Sequence, residues 1–188
     1  MTKTPKLYVI LAADTEDSQP SYVPGWWRYG SDYDKTPMEL RLDWLRHSAS
    51  LLDCFEFGDR RFKVTWFLRT DLSVGERCLN AMDKLIDRAV EVEDELAIHI
   101  HTLHQDNRSR WVQSLDQDVC RAIVSESLDI FKDHMNMVPD SARMGWNYMS
   151  NTVMRQLENE GVLYDASCIP GTHSQLMYGQ RDNFCDWS

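Results

Sequence analysis

Short apolar runs alternate with amphipathic stretches along most of the chain. The runs are rich in β-branched and aromatic residues, and their length is typical of strands that are buried on both faces. Five strands are predicted, over residues 6–12, 62–68, 95–101, 141–145 and 162–168. Alternating strands and helices indicate right-handed βαβ units and therefore a parallel sheet or barrel.

Four helices are predicted between these strands. Thr36, followed by a proline and then by a glutamate at position 39, begins the first helix. Ser114 and Gln117 predict a capping box at the start of a later helix, whereas Ser150 and Gly161 predict the two ends of the last one. The apolar faces of the second and third helices contain Leu79, Met82, Leu85, Ile86, Ala89, Val119, Ile123, Ile130 and Phe131.

Length and composition limit the kind of protein this is. A chain of 188 residues without a linker predicts a single domain over residues 1–188. Twenty basic against 30 acidic side chains give a net charge of −10, with no Lys/Arg cluster. Nucleic acids and anionic membrane surfaces are therefore not expected as partners.

The cysteines and the apolar runs indicate a reducing compartment. The five cysteines form no Cys-x-x-Cys pair, which predicts free thiols and argues against a zinc ribbon or a disulfide framework. No run approaches 18 apolar residues, and the run over residues 7–13 is too short for a signal peptide. We expect a cytoplasmic protein, unless an export signal has been removed.

Three carboxylates follow the first predicted strand, at Asp14, Glu16 and Asp17. If the strand continues, Asp14 and Glu16 project to the same side, because side chains alternate along a strand. A bound cation or a shared proton would relieve their repulsion. A solvated acidic turn is the alternative interpretation.

Three of the six histidines lie at the end of the third predicted strand, at His99, His101 and His104. The same alternation places His99 and His101 on one face, with Ile98 and Ile100 on the other. Imidazole and carboxylate together form a ligand set for Zn²⁺ or a similar divalent ion. A single histidine here would favour a structural role, whereas three favour a metal site.

Arg143 ends the fourth predicted strand. An arginine in that place can orient a carboxylate base or bind oxygen atoms of a substrate. A surface salt bridge is the alternative.

Five short motifs occur in a characteristic order: Asp-Thr-Glu at 14–16, Val-Thr-Trp-Phe at 64–67, Glu-Leu-Ala-Ile-His-Ile-His at 95–101, Ala-Arg-Met-Gly-Trp-Asn at 142–147, and Tyr-Asp-Ala-Ser at 164–167 after a leucine-to-glycine stretch at 157–161. Together they resemble the polysaccharide deacetylases of the NodB-homology class, carbohydrate esterase family 4. Within that family, they are similar to the branch whose first motif is Asp-Thr-Glu. The resemblance spans residues 7 to about 171 and implies a distorted (β/α)7-type barrel of parallel strands.

The resemblance also implies an activity, namely metal-dependent hydrolysis of an N-acetyl or related amide group on a carbohydrate. Asp14 would be the general base, and Arg143 would steady it. Trp26, Trp27 and Trp146 would bind the sugar, since aromatic faces at the mouth of the site can stack on sugar rings. A lid that folds over the core is the alternative for Trp26 and Trp27.

The implied cofactor is a divalent metal ion, with Zn²⁺ expected and Co²⁺ as an alternative. Glu16, or Asp17 in its place, and His99 would be ligands. In the family, a second histidine follows four positions after the first, but that position is a leucine here. We expect His104 to be the third ligand because a loop residue can turn back towards the ion, and His101 is the alternative.

The chain ends at Ser188, before the later family strand whose Leu-x-His motif supplies a general acid. We therefore expect a barrel that is incomplete at its C-terminal end. Residues 174–188, an oligomer, a partner or missing sequence would have to cover its open edge. Two other functions remain open: an amide hydrolase of the same fold acting on a small non-sugar substrate, and a noncatalytic glycan-binding or partial barrel.

Overall fold

A computed structural model describes residues 11–15, 56–57, 60–61, 63–73, 75–109, 111–145, 148 and 150–167. The predicted helix at Thr36 lies outside the described residues. So do five residues of the predicted site, which are Glu16, Asp17, Trp26, Trp27 and Trp146.

Within the described ranges, the main sheet contains five parallel strands. In their order across the sheet, these are β1 (Leu11–Thr15), β4 (Val64–Arg69), β5 (Glu95–Ile100), β8 (Ser141–Met144) and β9 (Tyr164–Asp165). Two antiparallel pairs accompany the sheet, β2 (Glu56–Phe57) with β3 (Arg60–Arg61) and β6 (Leu103–Gln105) with β7 (Trp111–Gln113). The helices in the part of the chain that the structure describes are α1 (Gly75–Glu91), α2 (Gln117–Met135) and α3 (Asn151–Asn159).

The described strands lie in the sheet in the same order as in the sequence. α1 connects β4 to β5, α2 follows the β6–β7 hairpin on the way to β8, and α3 connects β8 to β9. The order never reverses among these strands, so right-handed connections place the three helices on one face. The predicted α/β class with a parallel sheet is confirmed.

The hydrophobic core lies between that face and the helices. All five predicted positions of the α1 stripe are buried, and Ile123 and Phe131 of α2 are buried as well. Val119 and Ile130 pack at the edge of the core. The strands contribute their alternate positions to this core, namely Val64, Trp66, Leu68, Leu96, Ile98, Ile100, Ala142 and Met144. No helix among the described residues is long and apolar enough to span a bilayer.

The predicted capping box of α2 is wrong. The N-cap is Asp116, whose Oδ1 accepts hydrogen bonds from the backbone N–H of Asp118 at 2.9 Å and of Val119 at 3.1 Å. Ser114 instead accepts from the backbone N–H of Asp116 at 3.2 Å. A carboxylate beside the helix start also interacts favourably with the helix dipole, so Asp116 competes well for this position.

The predicted ends of α3 are confirmed. Ser150 Oγ accepts from the backbone N–H of Val153 at 3.2 Å, and Gly161 has a φ of +93° just after the C-cap. Backbone bonds from Val162 to the carbonyl of Leu157 and from Gly161 to that of Glu158 complete a Schellman motif. Glycine adopts this left-handed conformation without steric cost.

Ser150→Ala is expected to lower the free energy of unfolding by about 1 kcal/mol, because it removes the cap of α3. Urea unfolding of the variant would measure this. Asn159→Ala, at the exposed last position of the same helix, is the control and should change stability by less than about 0.5 kcal/mol. Equal effects of the two substitutions would contradict the capping role.

Candidate active site

A carboxylate and an arginine meet on the sheet face opposite the helices. Asp14 is the fourth residue of β1, and its Oδ1 accepts a hydrogen bond from Arg143 Nη1 on β8 at 3.2 Å. Both side chains are about one-third exposed, at 31% and 28%. The guanidinium lies 5.6 Å from the centre of the Phe67 ring on β4. The ion pair thus joins β1 to β8 across the two strands that separate them in the sheet.

Thr15, the middle residue of the Asp-Thr-Glu motif at 14–16, fixes the end of β1. The Thr15 hydroxyl donates to the carbonyl of Phe67 at 3.2 Å and accepts from the backbone N–H of Arg69 at 3.3 Å. It is fully buried, and Cys78 Sγ lies 3.7 Å from its carbonyl oxygen. These contacts hold the strand on which Asp14 lies against β4.

His99 and His101 are in direct contact. Their Nε2 atoms are 3.1 Å apart, and their ring centroids are 4.9 Å apart with planes at 83°. Each residue is 2% exposed. Ile98 and Ile100 lie in the core on the other face. The prediction that the two histidines share a face is confirmed. His99 is also aligned with Arg143 in the pairing of β5 with β8, so the histidines follow the strand next to the arginine.

The two imidazole nitrogens are spaced as ligands of one metal ion would be. Two nitrogens bound to a tetrahedral Zn²⁺ at about 2.0–2.1 Å lie roughly 3.3 Å from each other. A hydrogen bond in which one ring donates to the other would give a similar distance. Within the described ranges, no group of three or more His, Cys, Asp or Glu side chains could hold a metal ion. The donor pair fits a metal, and the carboxylate ligand expected at Glu16 lies outside those ranges.

A fully buried ion pair, Arg69 with Asp71, contacts the backbone of His101. Arg69 ends β4 and donates from Nε to Asp71 Oδ2 at 2.6 Å. The two side chains are 1% and 0% exposed. Ser73 donates its hydroxyl to Asp71 Oδ1, and the backbone N–H of His101 donates to Asp71 Oδ2 at 3.4 Å. The pair therefore connects the end of β4 to the backbone that follows β5.

The pKa of the Asp71 carboxyl lies below its ordinary value of 3.8. Burial is the largest single influence and acts to raise this pKa, but it is outweighed by the combined effect of the charge and hydrogen bond of Arg69, the His101 charge and the Ser73 hydroxyl. Asp71 is therefore an ionised carboxylate at neutral pH. Sequence analysis missed Arg69 and Asp71, although they occupy the same position, at a strand's carboxyl end, as the residues that were chosen.

His104 is on β6 and not in a loop, so that part of the prediction is wrong. It is paired with Val112 of β7 in an antiparallel hairpin, and its side chain is half-buried. Its Nδ1 is buried and has no hydrogen-bond partner among the described residues. The buried Leu103 anchors the start of β6. The hairpin was missed because its three-residue strands are too short for a periodic pattern.

The Tyr-Asp-Ala-Ser motif at 164–167 connects the end of β9 to β8 through hydrogen bonds. Ser167 Oγ accepts from the backbone N–H of Met144 at 2.7 Å, and the backbone N–H of Ser167 donates to Asp165 Oδ1 at 2.7 Å. Burial raises the pKa of the Asp165 carboxyl, while its bonds with Ser167 act in the opposite direction. Of the predicted strand over residues 162–168, Tyr164–Asp165 forms a strand, and beyond it the Ser167 side chain accepts the bond from the Met144 backbone N–H in place of a backbone carbonyl.

Comparison with known proteins gives distant structural similarities only. No known protein family and no curated protein matches the chain. A candidate polysaccharide deacetylase from Mycobacterium smegmatis has a TM-score of 0.47 and 15% identity, over 83% of this chain and 49% of its own. IcaB from Ammonifex degensii has a TM-score of 0.36 and 13% identity, over 82% of this chain and 80% of its own. The chain spans about half the length of the first of these structures. At such low identity, function has to be inferred from the site itself.

Proposed function

We propose that this chain hydrolyses an N-acetyl or related amide group on a carbohydrate with the help of a divalent metal ion. The observation that supports the proposal is that Arg143 donates to Asp14 and is aligned with His99 in the pairing of β5 with β8, although the three residues come from different sequence motifs. They lie on one sheet face, near the carboxyl ends of three parallel strands. Active sites of parallel α/β proteins are built at this end of the strands.

The order of the strands supports a distorted (β/α)7-type barrel as the complete fold. Strands in unreversed order with helices over one face are what a barrel wall requires, and the opposite face then becomes the barrel interior. Asp14, Phe67, Arg69, His99 and Arg143 alternate with the core positions and belong to that opposite face. The proposed catalytic groups would thus line the interior, where a substrate can be surrounded.

The residues have separate tasks in the proposed reaction. A divalent ion held by Glu16, His99 and a further histidine would polarise the amide carbonyl and lower the pKa of a water molecule. Asp14 would accept a proton from the water molecule that adds to the carbonyl carbon. Arg143 fixes the orientation of the Asp14 carboxylate through Oδ1. The same carboxyl can return the proton to the amine nitrogen as the C–N bond breaks.

The aromatic residues are proposed to bind the sugar. Trp26 and Trp27 follow the acidic motif, and Trp146 follows Arg143 by three positions. Aromatic faces at the mouth of the site would stack on pyranose rings and favour a carbohydrate over a small amide.

Release of acetate and free amine from N-acetylated hexosamine oligomers tests the proposal. With added Zn²⁺ or Co²⁺ we expect turnover that a chelator abolishes and renewed metal restores. Small non-sugar amides, such as a cyclic ureide and a formamide, serve as comparison substrates, and the hexosamine compounds should be preferred. Preference for the small amides would identify the related amide hydrolase instead. Absence of metal-dependent release from every compound would contradict the proposal.

A further inference from the structure

Gly145 lies directly against the ring of His101. A Cβ atom placed on Gly145 would be 2.3 Å from Cε1 and Nδ1 of His101 and 2.4 Å from Cδ2. Nearly equal distances to three ring atoms place this point over the face of the imidazole. Non-bonded carbon atoms pack at about 3.5–4.0 Å, so no other residue type fits at position 145 unless the ring moves.

The backbone of His101 is held on both sides. Its N–H donates to Asp71 Oδ2 at 3.4 Å, and its carbonyl accepts from the backbone N–H of Leu103 at 2.8 Å. Because Asp71 is itself fixed by the buried Arg69, this backbone has little freedom to shift. A steric clash with a side chain at position 145 would therefore displace the His101 ring and not the His101 backbone.

The ring position sets the direction of Nε2. With one face on the backbone at Gly145, the His101 ring meets His99 edge-on, and the two Nε2 atoms approach to 3.1 Å. His104 belongs to the next strand, β6, where its backbone pairs with Val112, whereas the His101 ring is already in contact with the His99 ring.

We propose that Gly145 is a positioning residue that seats the His101 ring beside His99. We propose further that His101, and not His104, supplies the second imidazole of the metal site. The choice of ligand rests on the proposed function, whereas the seating of the ring by Gly145 does not depend on it.

Titration of the purified protein with Co²⁺, followed by its visible absorption and by calorimetry, tests the choice of ligand. Gly145→Ala and His101→Ala should each weaken Co²⁺ binding by about 10–100-fold or more, while His104→Ala should change it by less than about threefold. In the His101→Ala background, Gly145→Ala should have no further effect, because it acts through the ring that has been removed. A larger loss in His104→Ala than in His101→Ala would overturn the choice of ligand.

Gly161→Ala is the matched control for a glycine replacement. Gly161 has a φ of +93°, and its added Cβ would lie 3.6 Å from the Val138 side chain, so the variant strains the end of α3 and leaves the site untouched. It should lower the melting temperature and keep Co²⁺ affinity unchanged. Weakened Co²⁺ binding in Gly161→Ala similar to that in Gly145→Ala would show that general destabilisation explains both, and would overturn the positioning role.

Nuclear Overhauser effects between the His99 and His101 rings in metal-free protein test the seating separately. They should be present in the wild type and lost in Gly145→Ala, and their persistence in the variant would overturn the positioning role. If wild-type protein binds no Co²⁺, both the ligand assignment and the proposed function fail, yet these ring contacts still decide whether Gly145 seats His101.

Discussion

Asp14→Asn is expected to lower kcat for amide hydrolysis by about 10²–10⁴-fold, the range that a positioned general base contributes. The amide has the same shape as the carboxylate and can still accept a hydrogen bond from Arg143, but it cannot take a proton from water. The loss should therefore appear in kcat, with little change in KM or in the melting temperature. Steady-state kinetics on an N-acetylated hexosamine oligomer would measure it.

Asp140→Asn provides the matched control for this charge change. Asp140 is exposed in the turn before β8, so its neutralisation should leave kcat within about twofold. Co²⁺ affinity in Asp14→Asn should remain close to that of the wild type, since Asp14 is the proposed base and not a proposed ligand. Equal rates for wild type and Asp14→Asn would remove Asp14 from the mechanism.

Asp71→Ala is expected to cost about 3–5 kcal/mol of unfolding free energy, because it leaves the Arg69 guanidinium buried without its carboxylate. Replacing both partners, as in Arg69→Met with Asp71→Ala, should cost less than Asp71→Ala alone, since no unpaired charge is then buried. Urea unfolding of the single and double variants would measure the difference. A double variant less stable than Asp71→Ala would contradict this explanation.

The exposed pair of Lys63 with Glu93 is the control for this ion pair. Its atoms are 3.4 Å apart, but the side chains are 53% and 88% exposed. Water and salt screen such a pair, and Glu93→Ala should therefore cost no more than about 1 kcal/mol. A comparable loss at both positions would show that burial is not the reason for the effect at Asp71.

The ion pair of Arg69 with Asp71 also predicts how the stability of the protein depends on pH. Since the folded-state pKa of Asp71 is lowered from 3.8, its stabilising contribution is complete above the unfolded-state value and is lost as pH falls through the folded-state value. The stability difference between wild type and Asp71→Ala should thus be largest near neutral pH and shrink below pH of about 4. A difference that grows on acidification would mean that the pKa is shifted in the opposite direction.

Features set by local periodicity could be predicted from the sequence. α1 follows from five apolar positions on one helical face, and the shared face of His99 and His101 follows from the alternation of side chains along β5. The ends of α3 follow from the conformational preferences of Ser150 and Gly161.

Features set by competition between capping groups or by long-range packing could not be predicted from the sequence. The hydroxyl of Ser114 and the carboxylate of Asp116 both lie near the start of α2 and could cap it. Only the local geometry selects Asp116 over Ser114. The burial of Arg69 with Asp71 and the contact of Gly145 with His101 depend on how neighbouring strands pack. No periodic pattern in one strand reports the side chains of the next.

The bond between Arg143 and Asp14 joins residues that are 129 positions apart. Closing so long a loop costs more entropy than forming the local contacts of α1 or the adjacent pairing of β4 with β5. A partly folded chain can therefore contain much of the hydrophobic core before Asp14 has formed its bond with Arg143. During synthesis, too, Asp14 lacks this arginine until residue 143 has been added and β8 has joined the sheet.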